Sequence, residues 1–199
     1  MPTGVHLRDV RRQLFDAANR ILLRDGPSAL TSRAVTTEAD VAKGVLHRHF
    51  TDFDAFLAEL VGNRITRLKD QEALLHASAG TRTVAENLTS ALAELFDPVS
   101  LALVSLLFSR DELRNRLRRA GDGLPLLTEA RIMLTNYLAA EREQGRIAAD
   151  AEVSALSLSL IGAGHLLFAG RRRGTLPEEA ELEKVVHTVI ADVVQRRLL

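Results

Sequence analysis

Residues 36–50 read "TTEADVAKGVLHRHF", and the fold turns on this stretch. It carries a glycine, Gly44, in the middle of what otherwise reads as a short helix. Lys43, His47, Arg48 and His49 crowd around that glycine within seven residues. A glycine offers no side chain, so the turn holding it can approach a DNA groove or a neighbouring helix closely. Lys43 has the reach for a phosphate or a guanine edge, and Arg48 for a phosphate. The free N–H groups and dipole of a helix start also favour phosphate.

Working outward, the flanks supply a scaffold for that element. Val10, Leu14, Ala17, Ala18, Ile21 and Leu22 share one face of a first helix, which Gly26-Pro27 stops. Thr31 is a good N-cap for a short helix over about residues 32–39, and a second short helix is expected over 42–50. Its inward positions are Val41, Val45 or Leu46, and Phe50. Thr51 and Asp54 have capping-box spacing, so a longer helix is expected from about Asp52, burying Phe56, Leu57, Leu60 and Val61. Three closely punctuated helices, the last two short, suggest a helix-turn-helix. In that motif the second helix of the pair lies in the DNA major groove.

The remainder repeats helical punctuation. Thr81 is placed to cap a helix bearing Val84, Leu88, Leu92 and Leu95, and Pro98 to open another. A charged helix, "RDELRNRLRRAG", is expected to end at Gly121 or Gly123, and a long one to run from Pro125 to near Gly145. Two final helices over about 151–169 and 177–197 flank "GRRRGT", with Thr175 and Glu178 at capping-box spacing. Alternating β-branched runs are missing, while Leu, Ala, Arg and Glu dominate. The expected fold class is all-α: about nine helices, an amino-terminal three-helix helix-turn-helix domain over 1–52, and a helical body over 53–199.

Charge and composition narrow the function. The 199 residues carry no net charge, yet the first 50 hold eight Arg or Lys against five acids, leaving the rest acidic. A basic end on an acidic body suits a chain that meets a polyanion at that end. There is no cysteine, which removes disulfides and Cys-based zinc sites and fits a cytoplasmic location. The polar start "MPTGVHLRDVRRQ" lacks the apolar core of a secretory signal. The most apolar run, residues 155–170, is shorter than a membrane span and contains Ser157, Ser159 and His165, so a buried helix is expected and no membrane partner. No glycine-rich phosphate loop, His-Glu-x-x-His pair or cysteine nucleophile is present, so an enzyme is not expected, nor any metal or cofactor. His47 and His49 stand two apart and face different sides of a helix, which prevents joint chelation. Arg171–Arg173 reads as a solvated loop.

With these residues in place, the amino-terminal region resembles that of tetracycline-repressor-like (TetR-type) transcriptional regulators. Their pattern is close to Thr-x3-Ile-Ala-x2-Ala-Gly-Val-Ser-x-Gly-x-Leu-Tyr-x-His-Phe. Thr31, Val35, Ala39, Val41, Gly44, Leu46, His49 and Phe50 stand at matching places. The departures are Thr36 for a small alanine, Asp40 for the turn glycine, Ala42 for a Ser/Thr cap, His47 for a phosphate-contacting Tyr, and Phe53 for a Lys. Asp tolerates the left-handed backbone that such a turn needs.

The resemblance implies a homodimeric regulator binding a pseudopalindromic double-stranded DNA operator, most often as a repressor released by a small-molecule effector. It implies that Lys43, Gly44 and Val45 face base edges, Val45 against a thymine methyl. Thr31, Arg33, His47, Arg48 and His49 would serve phosphates or flank the groove. Dimerisation would use the last two helices, where Ala155, Ser159 and Ala163 recur every four residues. Leu182, Val185, Val186, Val189, Ile190 and Val193 add an apolar stripe that either joins the interface or fills the chain's own core. An effector cavity in the middle helices would be walled by Leu103, Leu106, Phe108, Met133, Leu134 and Phe168, with Arg131, Asn136, Tyr137 and His165 as polar contacts. Two other classes stay open: an all-helical small-molecule carrier without DNA binding, and a membrane-associated helical protein.

Overall fold

The computed structural model describes residues 3–118, 124–171 and 175–196. Among them are ten α-helices and no strand. They are α1 (Thr3–Arg24), α2 (Ser32–Glu38), α3 (Val45–His49), α4 (Phe53–Ala77), α5 (Val84–Leu95), α6 (Pro98–Ser109), α7 (Asp111–Arg118), α8 (Pro125–Glu143), α9 (Val153–Ala169) and α10 (Glu179–Arg196). A short 3-10 turn, Pro27–Ala29, links α1 to α2. The all-α expectation holds. The expected ends of the charged helix at Gly121 or Gly123, and Arg172 and Arg173, lie outside the described residues.

Two compact units divide the chain. The first comprises Met1–Asn63 and Ala102–Leu124, the second Arg64–Leu101 and Pro125–Leu199. The first unit therefore reaches past the functional boundary expected at 52, for a packing reason. Phe56, on the second turn of α4, is fully buried and stacks on Phe15 of α1 at 5.4 Å, with Phe50 edge-on at 5.1 Å. Leu14, Ala17, Ala18, Ile21 and Leu22 complete this core from α1, each no more than 1% exposed.

In the second unit α8 packs on α9, and α10 packs on both α5 and α9. Leu182, Val186, Ile190 and Val193 of α10 are buried within the chain, so most of its apolar stripe serves the chain's own core. Val185 and Val189 are left half-buried. Helix α9 is not buried throughout, contrary to expectation. One face packs inward through Leu160, Ile161 and Phe168, while Ala155, Leu158, Ser159, Gly162 and Leu166 lie exposed on the other. Gly164 is required by packing, since a Cβ there would stand 2.6 Å from the Phe96 ring.

Several caps fall elsewhere than expected. Asp52, rather than Thr51, caps α4, accepting from the Ala55 N–H at 2.6 Å. Thr83, rather than Thr81, caps α5 with a complete capping box to Glu86. Ahead of α10 the Glu178 N–H donates to Glu181, so the reciprocal bond sits three residues beyond the expected Thr175 position. Among the described residues, no single helix is long and apolar enough to cross a membrane.

Candidate nucleic-acid interface

The geometry of α2 and α3 follows from a few local rules. Thr31 caps α2, its hydroxyl accepting from the Ala34 N–H at 3.1 Å. Thr36 is buried where an alanine is usual, and its hydroxyl returns to the Ser32 and Arg33 carbonyls of the same helix, both at 3.1 Å. The turn that follows passes through Asp40, with φ of 52°, the left-handed conformation expected there. Gln13 of α1 donates to the Ala39 carbonyl at 2.7 Å and fastens the turn.

Helix α3 is shorter than expected. It begins at Val45, and Gly44 occupies the cap position with φ of −80° and no side-chain cap bond. Ala42 therefore does not sit at the cap, and its lack of a hydroxyl removes nothing from the helix. The backbone reaches Val45 through a turn in which the Val45 N–H donates to the Ala42 carbonyl at 2.8 Å. Leu46 and Phe50 are buried and anchor α3. Arg11 of α1 lies 4.4 Å over the Phe50 ring and donates to the His49 carbonyl at 3.1 Å, satisfying one of the free carbonyls at the helix end.

This anchoring leaves one surface outward. Thr31, Arg33, Lys43, Gly44, His47 and Arg48 are exposed, while Val45 and His49 are half-buried. A Cβ on Gly44 would meet no atom within 4 Å. Its negative φ is open to any residue, so neither conformation nor a neighbouring helix demands glycine there.

The arginines and lysine of the first unit sort by pairing. Arg20 and Arg24 both reach Glu38, at 2.8 and 3.0 Å, and Arg24 also holds Asp25. Arg11 pairs with Glu59 and Arg12 with Asp16. Among the described residues, no acid pairs with Arg33, Lys43 or Arg48, the three cations on the α2–α3 surface.

The expected effector residues are scattered. Leu103, Leu106 and Phe108 belong to the first unit, where the two leucines are buried and Phe108 is 53% exposed. The other seven lie in the second unit. There Met133 and Leu134 are buried, and exposed Asn136 donates to Glu72 at 2.6 Å. Arg131 donates to Ser154 at 3.2 Å. Tyr137 is fully buried, donating to Glu141 at 2.5 Å and accepting from Asn87 at 3.0 Å. Burial first, and the Glu141 carboxylate second, push its phenol above the usual range. His165 and Phe168 flank Phe96, with ring centroids at 6.1 and 5.5 Å, and burial lowers the His165 pKa. Asn87, Phe96 and Glu141 were missed by the sequence reading. Glu141 alone had a local signal, one helical turn beyond Tyr137. A separate pocket of about 400 Å³ opens between α5 and α10, lined by Val84, Arg146, His187 and Ile190 among others.

The α2–α3 surface is thus outward and basic, with no acid partner among the described residues. Residues 14–60, the stretch that holds α2 and α3, match the family model described as "Bacterial regulatory proteins, tetR family". The whole chain shares the fold of such regulators. A TetR-family transcriptional regulator from Agrobacterium tumefaciens aligns with a TM-score of 0.68 and 14% identity, covering 96% of this chain and 98% of that one. NemR of E. coli, in its reduced form, aligns with a TM-score of 0.71 and 15% identity, covering 91% and 95%. FadR of Bacillus subtilis, in complex with stearoyl-CoA, aligns with a TM-score of 0.64 and 17% identity, covering 90% and 97%. A comparison with curated protein sequences returns no match.

Proposed function

We propose that the protein is a ligand-responsive transcriptional regulator, a repressor that binds a pseudopalindromic operator as a homodimer and is released by a small-molecule effector. The observation carrying this reading is the α2–α3 surface: among the described residues, Arg33, Lys43 and Arg48 have no acid partner, and nothing lies close enough to Gly44 to require its missing side chain. Lys43, Gly44 and Val45 face base edges in this reading, with Val45 against a thymine methyl. Arg33 and Arg48 hold phosphates, and Thr31, His47 and His49 border them.

The dimer rests on the exposed face of α9, where Leu158 and Leu166 are 62% and 76% exposed beside Ala155, Ser159 and Gly162. Small residues between two leucines permit close helix approach, and a surface this apolar favours a partner. A two-fold dimer presents its two α3 helices to half-sites about 34–36 Å apart or a multiple of that. Leu158→Glu with Leu166→Glu should give a folded monomer by sedimentation. A dimer that persists would move the interface elsewhere.

The effector is assigned to the second unit; that FadR, of the same fold, is solved in complex with stearoyl-CoA supports small-molecule binding by such a fold, without carrying that ligand or its position over. An effector releases DNA only if it binds the DNA-free conformation more tightly than the bound one. Selection from a pool of random duplexes tests the reading. A recovered pseudopalindrome supports it, and no enrichment by folded dimer would favour a carrier without DNA binding.

A further inference from the structure

Two ion pairs converge on the first turn of α4, and both lie within the first unit. Asp52, the N-cap, is gripped by Arg116 of α7 through both carboxylate oxygens, at 2.7 and 2.9 Å. A two-pronged guanidinium–carboxylate contact fixes direction as well as distance. Two residues on, Asp54 accepts from Arg110, between α6 and α7, at 3.0 Å. The Arg110 guanidinium also lies 5.5 Å over the Phe53 ring, and Phe53 stacks on Phe56 at 5.6 Å. Phe56 in turn meets Phe50, the residue that ends α3. Phe53, standing where the TetR-type pattern has a Lys, is thus turned to an internal contact.

The Asp52 carboxyl is held at about 2 by Arg116 first and the Ala55 N–H second, which keeps it an anion throughout the neutral range. Both pairs remain partly open to water: 40% and 49% for Arg116 and Asp52, 38% and 29% for Arg110 and Asp54. Ion pairs this exposed are individually weak, so such a clasp opens without large cost.

We propose that Arg116 and Arg110 form a latch on the α3–α4 hinge, fixing the angle at which α3 is presented to DNA. In this proposal both arginines act as positioning residues through Asp52 and Asp54 rather than through DNA. The proposal rests on the DNA-binding reading above and names the device that sets its geometry.

Asp52→Asn tests it cleanly, because asparagine still accepts the Ala55 N–H as a cap while losing the charge that holds Arg116. Arg116→Gln removes the other partner and leaves the cap untouched, so it carries the test should Asp52→Asn fold poorly. In the full-length protein, affinity is measured on the selected operator and on versions with one base pair added or removed between half-sites. The wild type should discriminate among the three, and each variant should lose that discrimination. The salt slope should not change, since no phosphate contact is lost. Amide exchange at Ala55 and Phe56, without DNA, should rise roughly 1.4- to fivefold in each variant. The double variant should be no worse than either single one, as expected of one shared interaction. Retained spacing discrimination with unchanged exchange, or additive effects in the double variant, would overturn the latch. If the wild type binds no duplex, the DNA reading fails and exchange alone judges the latch, with unaltered rates refuting it.

Discussion

Two groups of cations in the first 50 residues carry the same charge and face different fates. Arg20 and Arg24, at the α1–α2 junction, are committed to Glu38, whose carboxyl they hold below its ordinary range, Arg20 contributing first. Arg33, Lys43 and Arg48, further along the chain, stand on an exposed surface with no acid partner among the described residues. The first group ties helices together, and the second is available to a polyanion. A charge count merges them, so the excess of basic residues in this region understates how sharply the proposed binding surface is set apart.

The largest expected effect comes from filling the one gap in that surface. A Cβ at Gly44 meets no described atom within 4 Å and the backbone there is ordinary, so the exposed Gly44→Leu variant should fold, dimerise and melt as the wild type does. Operator binding should be abolished, as measured by fluorescence anisotropy. Unchanged affinity would take α3 out of the groove. Lys43→Ala comes next. A base-edge contact is worth roughly 1–3 kcal/mol of discrimination, so operator affinity should fall about 5- to 100-fold while non-specific binding falls less. Equal loss on both DNAs would make Lys43 a backbone contact. Arg48→Ala should act more gently, weakening all duplexes alike and reducing the salt slope by about 1.

The smallest effect is on pH-dependent stability and belongs to the committed pairs. The folded pKa of Asp52, about 2, lies below its ordinary value of 3.8 because of Arg116. A depressed carboxyl stabilises the fold above the unfolded pKa and loses that contribution as pH falls through the folded one. The melting-temperature gap between wild type and Arg116→Gln should therefore be constant above about pH 5 and close toward pH 2. A gap unchanged at pH 2 would show that the pair is not its source.

Much of the fold was legible because the deciding signals are local. Thr31 caps α2, Asp40 takes the left-handed turn, and Leu46 and Phe50 anchor α3, all within reach of short-range patterning. Caps were less legible where several polar residues competed within a few positions, as with Thr51 against Asp52 and Thr81 against Thr83. The start of α3 was read three residues early because Ala42 and Lys43 are good helix formers that here belong to a turn. Pairing was not legible at all. Arg20 meets Glu38 across 18 positions, and Arg116 meets Asp52 across 64, separations at which periodicity carries no information. The apolar stripe of α10 had two readings, core or interface, and only packing against α5 and α9 assigns most of it to the core.

The most direct test of the account compares two double variants by affinity against salt on the selected operator. Arg33→Ala with Arg48→Ala should lower the slope by about 2, reflecting two lost phosphate contacts. Arg20→Ala with Arg24→Ala removes the same charge and should leave the slope unchanged. Equal slope changes in the two would contradict the account, since bulk charge rather than a defined α2–α3 surface would then govern binding.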